Sequence, residues 1–275
     1  MDRYDAAMTL KETINSGLVR LTGYELARPR PNRSTAKKKA ASAAAAKPAT
    51  LALPKDYDSE AQRIIRAVKP WTMTSPDKLY ALILAVRHVV KHKIPGDIVE
   101  CGVWRGGSMQ ATARTLLEVG DTSRQLYLFD TFEGMPPPTE EDRRYDGKSA
   151  EDLLATSERT AHVWAVAALE DVQHGMSQVG YPEDHVHFVQ GTVEDTVPRE
   201  APEQISVLRL DTDWYTSTKH ELEHLYPRLV SGGVLLIDDY GWWEGAKKAV
   251  DEFLEESGEQ LLLLRMASGR IAVKP

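Results

Sequence analysis

Apolar residues come in short unbroken runs separated by stretches with helical spacing. Asp97-Ile98-Val99-Glu100-Cys101-Gly102 reads as a buried strand and Ser108 to Val119 as a helix. The strand pattern recurs at Gln125–Asp130, His185–Gln190, Ile205–Asp211 and Val234–Asp238, with helical spacing at about 162–179, 216–229 and 244–257. Apolar strands alternating with helices predict an α/β fold, a parallel sheet covered on both faces. Such sheets bind ligands beyond the carboxyl ends of their strands, so the polar residues after each strand carry the functional signal. Two further apolar runs, Leu261 to Arg265 and Arg270 to Val273, flank Ala267-Ser268-Gly269 and read as a hairpin.

A terminal antiparallel hairpin on a parallel sheet resembles the class I methyltransferase fold, a Rossmann-like, seven-stranded, mostly parallel sheet. Upstream the character changes. Ala7, Leu10, Ile14, Leu18 and Leu21 are spaced for one amphipathic helix, which Gly23 would end. Pro29-Arg30-Pro31 and an Ala/Lys run from Ser34 to Thr50 follow, and no packed core can be built from that run. The expected organisation is an N-terminal helical extension over 1–26, a basic linker over 27–55 and a main domain over 56–275. Charge follows the same division. The 275-residue chain has a net charge of -7, but residues 1–55 hold 11 Lys/Arg against 4 Asp/Glu. The basic segment is read as a solvated arm, with docking to a partner as the alternative, and its helix would be a natural dimer element, so a homo-oligomer is expected.

The acidic balance argues against a nucleic-acid partner. No apolar run approaches the ~20 residues that a membrane span needs. The single cysteine, Cys101, excludes an internal disulfide and fits a reducing compartment. With Asp2, Asp5, Lys11 and Glu12 where a signal peptide is apolar, a cytoplasmic location is expected.

The loop after the first strand is Glu100-Cys101-Gly102-Val103-Trp104-Arg105-Gly106-Gly107-Ser108. Its glycines allow close backbone approach to a ligand, and the following helix start offers free amides. The spacing departs from the dinucleotide fingerprint, and the leading Glu100 suits a cationic amino-acid ligand better than a pyrophosphate. S-adenosylmethionine joins an ammonium, a sulfonium and a ribose, which makes Glu100, Gly102, Gly106 and Ser108 candidate cofactor residues. Asp130, ending the second strand, is placed to accept the ribose hydroxyls. The alternative is a tight turn without a ligand.

Asp211-Thr212-Asp213 closes the fourth strand and Asp238-Asp239 the fifth. If the strands are neighbours, four carboxylates crowd one volume, at a cost unless something neutralises them. Few basic residues are obvious in either motif, and oxygen ligands favour Mg²⁺ or Ca²⁺. Helix capping by Asp213 and a turn at Asp239 would account for one or two of the four.

The stretches VECGVWRGGSM, LYLFDTFEGMP, LRLDTDWYTSTKHELEHLYPRL and GGVLLIDDYGWWEGAKKAVDEF resemble the macrocin O-methyltransferase (TylF) family over roughly residues 57–275. The resemblance implies an enzyme dependent on S-adenosylmethionine and Mg²⁺ that methylates deoxysugar hydroxyls of antibiotics. It makes Asp211, Asp238 and Asp239 the metal ligands and Asp213 the general base. It also places Thr72, in Trp71-Thr72-Met73-Thr74-Ser75, over the cofactor, although Thr74 or Ser75 would equally serve as a helix cap. Thr192, after the third strand, lies where adenine would sit. Trp164, Tyr215, Tyr240 and Trp242 are candidate acceptor contacts, with core packing as the alternative for each. Residues 132–160 form a long segment read as a proline-stiffened entry into a mobile lid. Three other readings stand beside this one: methylation of a non-sugar diol or catechol, a D-x-D metal-dependent glycosyltransferase, and a non-catalytic scaffold.

Overall fold

The structure is a computed structural model and describes residues 51–275. The expected 1–26 helix and the linker up to residue 50 lie outside the described residues. The last linker residues are not free: Leu51 and Leu53 pack against the cluster formed by Tyr57, Ile64 and Ile65.

Seven strands form one sheet in the order β3-β2-β1-β4-β5-β7-β6. They are β1 (Asp97–Cys101), β2 (Leu126–Asp130), β3 (Val186–Gln190), β4 (Ile205–Leu210), β5 (Leu229–Ile237), β6 (Leu264–Met266) and β7 (Gly269–Val273). β1 to β5 run parallel, β7 runs antiparallel to β5, and β6 closes the predicted hairpin. Alternation along each strand sorts the core into two faces. Ile98, Leu126, Leu128, Val207 and Leu236 pack on one side, and Val99, Phe129, Leu208, Leu235 and Ile237 on the other. Each large side chain buried this way stabilises the fold by about 1.5–3 kcal/mol.

The first face is covered by α2 (Pro76–Lys91), α3 (Gly107–Val119) and α5 (Leu169–Ser177), the second by α7 (Tyr215–Leu225) and α8 (Glu244–Ser257). Short helices α4 (Ala150–Thr156) and α6 (Val193–Thr196) lie in the connections. Ahead of α2, helix α1 (Ser59–Val68) buries Ala61, Ile64, Ile65 and Val68, the i, i+3, i+4, i+7 stripe of an amphipathic helix.

The expected helix over 162–179 is two pieces. A single 3₁₀ turn at His162–Trp164 ends at Ala165, whose φ is 45°, and α5 starts only at Leu169. The Trp164 carbonyl leaves the helical ladder to accept the Met135 amide at 2.9 Å. The segment expected to be a mobile lid is stitched down. It contains α4, and Arg144 pairs as an antiparallel bridge with Trp243. Fully buried Asp142 accepts the Thr139 amide and hydroxyl at 2.7 and 2.9 Å.

Asp58 caps α1 by accepting the Ala61 amide at 2.9 Å and also meets Arg87 at 2.7 Å. Asp58→Ala is expected to cost about 1 kcal/mol at neutral pH, mostly from the cap, because the exposed ion pair is screened by solvent. Arg87 above all holds the Asp58 carboxyl down at about 2, against an ordinary 3.8. A depressed carboxylate stabilises the fold above its unfolded value, and that contribution fades as pH falls from about 4 through about 2. Urea midpoints of wild type and variant should therefore differ at pH 7 and converge near pH 2; an equal gap at both would contradict the assignment.

Candidate active site

The carboxyl ends of β1, β2, β4 and β5 border a cavity of about 740 Å³, within the size range of small-molecule sites. Backbone bonds draw these ends together. The Gly102 amide donates to Phe129 O at 2.9 Å, the Asp211 amide to Cys101 O at 2.8 Å, and the Asp238 amide to Leu210 O at 2.9 Å. Gly102 has φ +82°, and a β-carbon there would lie 2.1 Å from the Asp211 carbonyl oxygen. Only glycine lets the first loop lie this close to the Asp-Thr-Asp turn.

Three carboxylates meet at the cavity wall. Asp211, Asp213 and Asp239 each offer an oxygen, and these lie within 4.8 Å of one another. Asp213 adopts φ 69°, in the left-handed region that aspartate and asparagine enter more readily than most residues with a side chain. Helix capping does not explain it. The first amide of α7, that of Tyr215, is taken by Asp142 Oδ1 at 2.7 Å. Asp213 instead faces Asp211 and Asp239. Burial pushes the Asp213 carboxyl up to about 7. Burial, aggravated by neighbouring acids, likewise raises Asp211 and Asp239 well above the carboxylate range.

Asp238, the fourth aspartate, turns elsewhere. Its Oδ2 lies 2.7 Å from Arg209 and 3.2 Å from Lys78 Nζ, while its Oδ1 is buried without a partner. Arg209 also holds Asp211 Oδ2 at 2.7 Å, pairs with Glu100 and reaches Thr74 Oγ1 at 3.1 Å. Basic groups are thus present where the motifs showed few. Strand alternation contained a sign of one, because Arg209 precedes Asp211 by two positions and so shares its side of β4. Lys78 left no comparable sign, being more than a hundred residues from either aspartate motif.

The expected cofactor residues divide. Gly102, Asp130 and Thr192 line the cavity. Asp130 accepts the amides of Val103, Trp104 and Phe132 at 2.6, 2.9 and 2.7 Å. The Thr131 hydroxyl, 3.5 Å from Asp130 Oδ1, is a fourth donor beside them. Glu100, Gly106, Ser108 and Thr72 lie behind the wall. Glu100 is fully buried against Arg209, and burial pushes its carboxyl up to about 8. Its Oε2 has no partner. Thr72 Oγ1 accepts the Thr74 amide at 2.9 Å, and Ser75, rather than Thr74, caps α2. Met73, Thr74 and Ser75 reach the cavity in its place.

Of the acceptor candidates, Trp242 lines the cavity. Tyr215 and Tyr240 turn away to donate to Glu252 and Asp251 at 2.6 and 2.7 Å, and the Trp164 indole donates to Ser157 O at 3.2 Å. Trp243, its neighbour in the same motif, lines it too, and the walls also include Trp104, Met135 and Arg144, which the sequence motifs did not single out for this role.

This strand order, with its C-terminal hairpin and its acid-lined cavity at the parallel strand ends, is that of a class I methyltransferase. Residues 9–264 match the macrocin O-methyltransferase (TylF) family, and the chain belongs to it. The match begins well upstream of residue 57, where the resemblance was expected to start. The chain is 38% identical over 169 residues to an 8-demethyl-8-(2,3-dimethoxy-alpha-L-rhamnosyl)-tetracenomycin-C 4'-O-methyltransferase of Streptomyces olivaceus. That alignment spans 62% of each chain, less than two thirds of the relative. The mycinamicin III 3''-O-methyltransferase of Micromonospora griseorubida is 34% identical over 188 residues, 68% of this chain and 71% of that one. The structure of the O-methyltransferase NovP superposes with a TM-score of 0.66 at 30% identity, covering 74% of this chain and 82% of that one. The calicheamicin methyltransferase CalS11, at 22% identity and a TM-score of 0.55, shares the fold. No helix among the described residues is long and apolar enough to cross a membrane.

Proposed function

We propose that the protein transfers a methyl group from S-adenosylmethionine to a hydroxyl of a deoxysugar on a glycosylated natural product, with Mg²⁺ as the metal. The observation that carries this reading is the set of converging carboxylates on the wall of a cavity large enough for two small molecules. Five acids (Glu100, Asp211, Asp213, Asp238 and Asp239) surround two bases, Arg209 and Lys78. With all five ionised the cluster retains three uncompensated negative charges, which a divalent cation would reduce. Asp239 Oδ2 and Asp238 Oδ1 are buried without partners, and hard oxygen donors of this kind suit Mg²⁺. Asp211 and Asp239 would hold it, and the family resemblance adds Asp238, whose Oδ1 is unpartnered although Arg209 and Lys78 hold its Oδ2. For the cofactor, Asp130 lines the cavity, and Gly102, Gly134 and Gly191 border it with bare backbone.

When bound, S-adenosylmethionine supplies the methyl carbon, and the cation supplies positive charge that lowers the proton affinity of the acceptor hydroxyl. The protein's own residues do the rest. Asp213, with a carboxyl raised toward neutrality, takes the hydroxyl proton. Trp242, Trp243 and Met135 keep water from the acceptor side, and the bonds to Asp142 keep the covering segment in place.

Titration calorimetry separates this reading from a D-x-D glycosyltransferase. S-adenosylhomocysteine should bind with or without Mg²⁺, and a nucleotide sugar should not act as a glycosyl donor. Binding of the nucleotide sugar alone, with sugar transfer, would overturn the proposal.

A further inference from the structure

Lys78 stands out among the groups that the proposed chemistry does not use. It projects from the first turn of α2 into the cavity wall, and its side chain is only 11% exposed. Its ammonium donates to the Asp238 carbonyl at 2.8 Å and lies 3.2 Å from Asp238 Oδ2. Arg209, by contrast, sits behind the wall, enclosed by Glu100, Asp211, Asp238 and Thr74. Lys78 is therefore the cation on the cavity side of the carboxylates.

We infer that Lys78 is a built-in counter-cation of the carboxylate site, a positioning residue that competes with a divalent ion and so sets how tightly the site holds it. The inference rests on the reading of this site as one for a divalent cation. A unit positive charge so close to the same carboxylates opposes the arrival of a second, and in a buried setting this opposition is strong. It also restrains Asp238 between Lys78 and Arg209. The same residue ties the site to the segment above it, since the Lys78 amide donates to Ser75, and Met73, Thr74 and Ser75 border the cavity.

The test is Mn²⁺ affinity, read from free Mn²⁺ by electron paramagnetic resonance on the full chain without substrate. Lys78→Met and Lys78→Gln should bind Mn²⁺ about ten- to a hundredfold more tightly than wild type, and Lys78→Arg should stay close to wild type. A structural defect would weaken binding, so tightening is a readout that a packing role cannot mimic. Folded Met and Gln variants that bind no more tightly than wild type would overturn the inference. A second measurement uses wild type alone. Mg²⁺ should speed acylation of Lys78 by an amine reagent several-fold, followed by peptide mass spectrometry, because its pairing with Asp238 is loosened; an unchanged or slower rate would overturn it. Wild type that binds no Mn²⁺ would sink the metal reading itself, whereas binding without tightening would sink this inference alone.

Discussion

Asp213→Asn is expected to fold, to bind S-adenosylhomocysteine within about twofold of wild type and to lose about 10²–10⁴-fold in kcat, the usual contribution of a positioned base. The choice of asparagine matters. Asp213 sits at φ 69°, and asparagine tolerates the left-handed region at least as well as aspartate. Alanine would add backbone strain and confuse the result. The amide keeps the size and one hydrogen-bond acceptor but cannot take up a proton at neutral pH. Because Asp213 also lies in the closest carboxylate triple, turnover should be measured at saturating Mg²⁺, beside a direct Mn²⁺ titration. Loss of turnover with metal affinity preserved supports the base. Near-native kcat would remove Asp213 from that role, and a large loss of metal affinity would make it a ligand in place of Asp238.

Chelation should have an effect of similar size. EDTA followed by gel filtration should abolish methyl transfer, and Mg²⁺ should restore it. Arg209 and Lys78 balance only two of the five clustered acids, so the metal-free site is left to protonate its carboxylates, and it then lacks the positive charge that weakens the acceptor's hold on its proton. Cofactor affinity should change little, since Gly102, Asp130 and Thr192 bind no metal in this scheme. Turnover that persists after exhaustive chelation would exclude a metal from the mechanism.

Much of the architecture was legible along the chain. β1, β2, β4 and the second half of β5 are mostly apolar because both their faces are buried, and the closing hairpin showed itself by Ser268-Gly269 between two apolar runs. The 162–179 stretch misled because its alanines and apolar residues have helical spacing, while the Trp164 carbonyl is drawn off to the Met135 amide by a segment distant in sequence. Tertiary bonding overrode local preference there. Tyr215 and Tyr240 were plausible cavity residues from their place beside the aspartate motifs, but each side chain points to an acid on α8 that sequence proximity does not reveal.

The amino-acid sequence by itself determined which residues end each strand, and so which acids and glycines stand at the binding edge of the sheet, because strand periodicity is a local property. Only the tertiary structure decided how those acids divide. The register of β1 against β4 sets Glu100 beside Arg209, and the return of α2 to the carboxyl edge brings Lys78 onto Asp238. Charge pairing acts over a few ångströms through space, and the distance between two charges in a folded chain is not written in their separation along it.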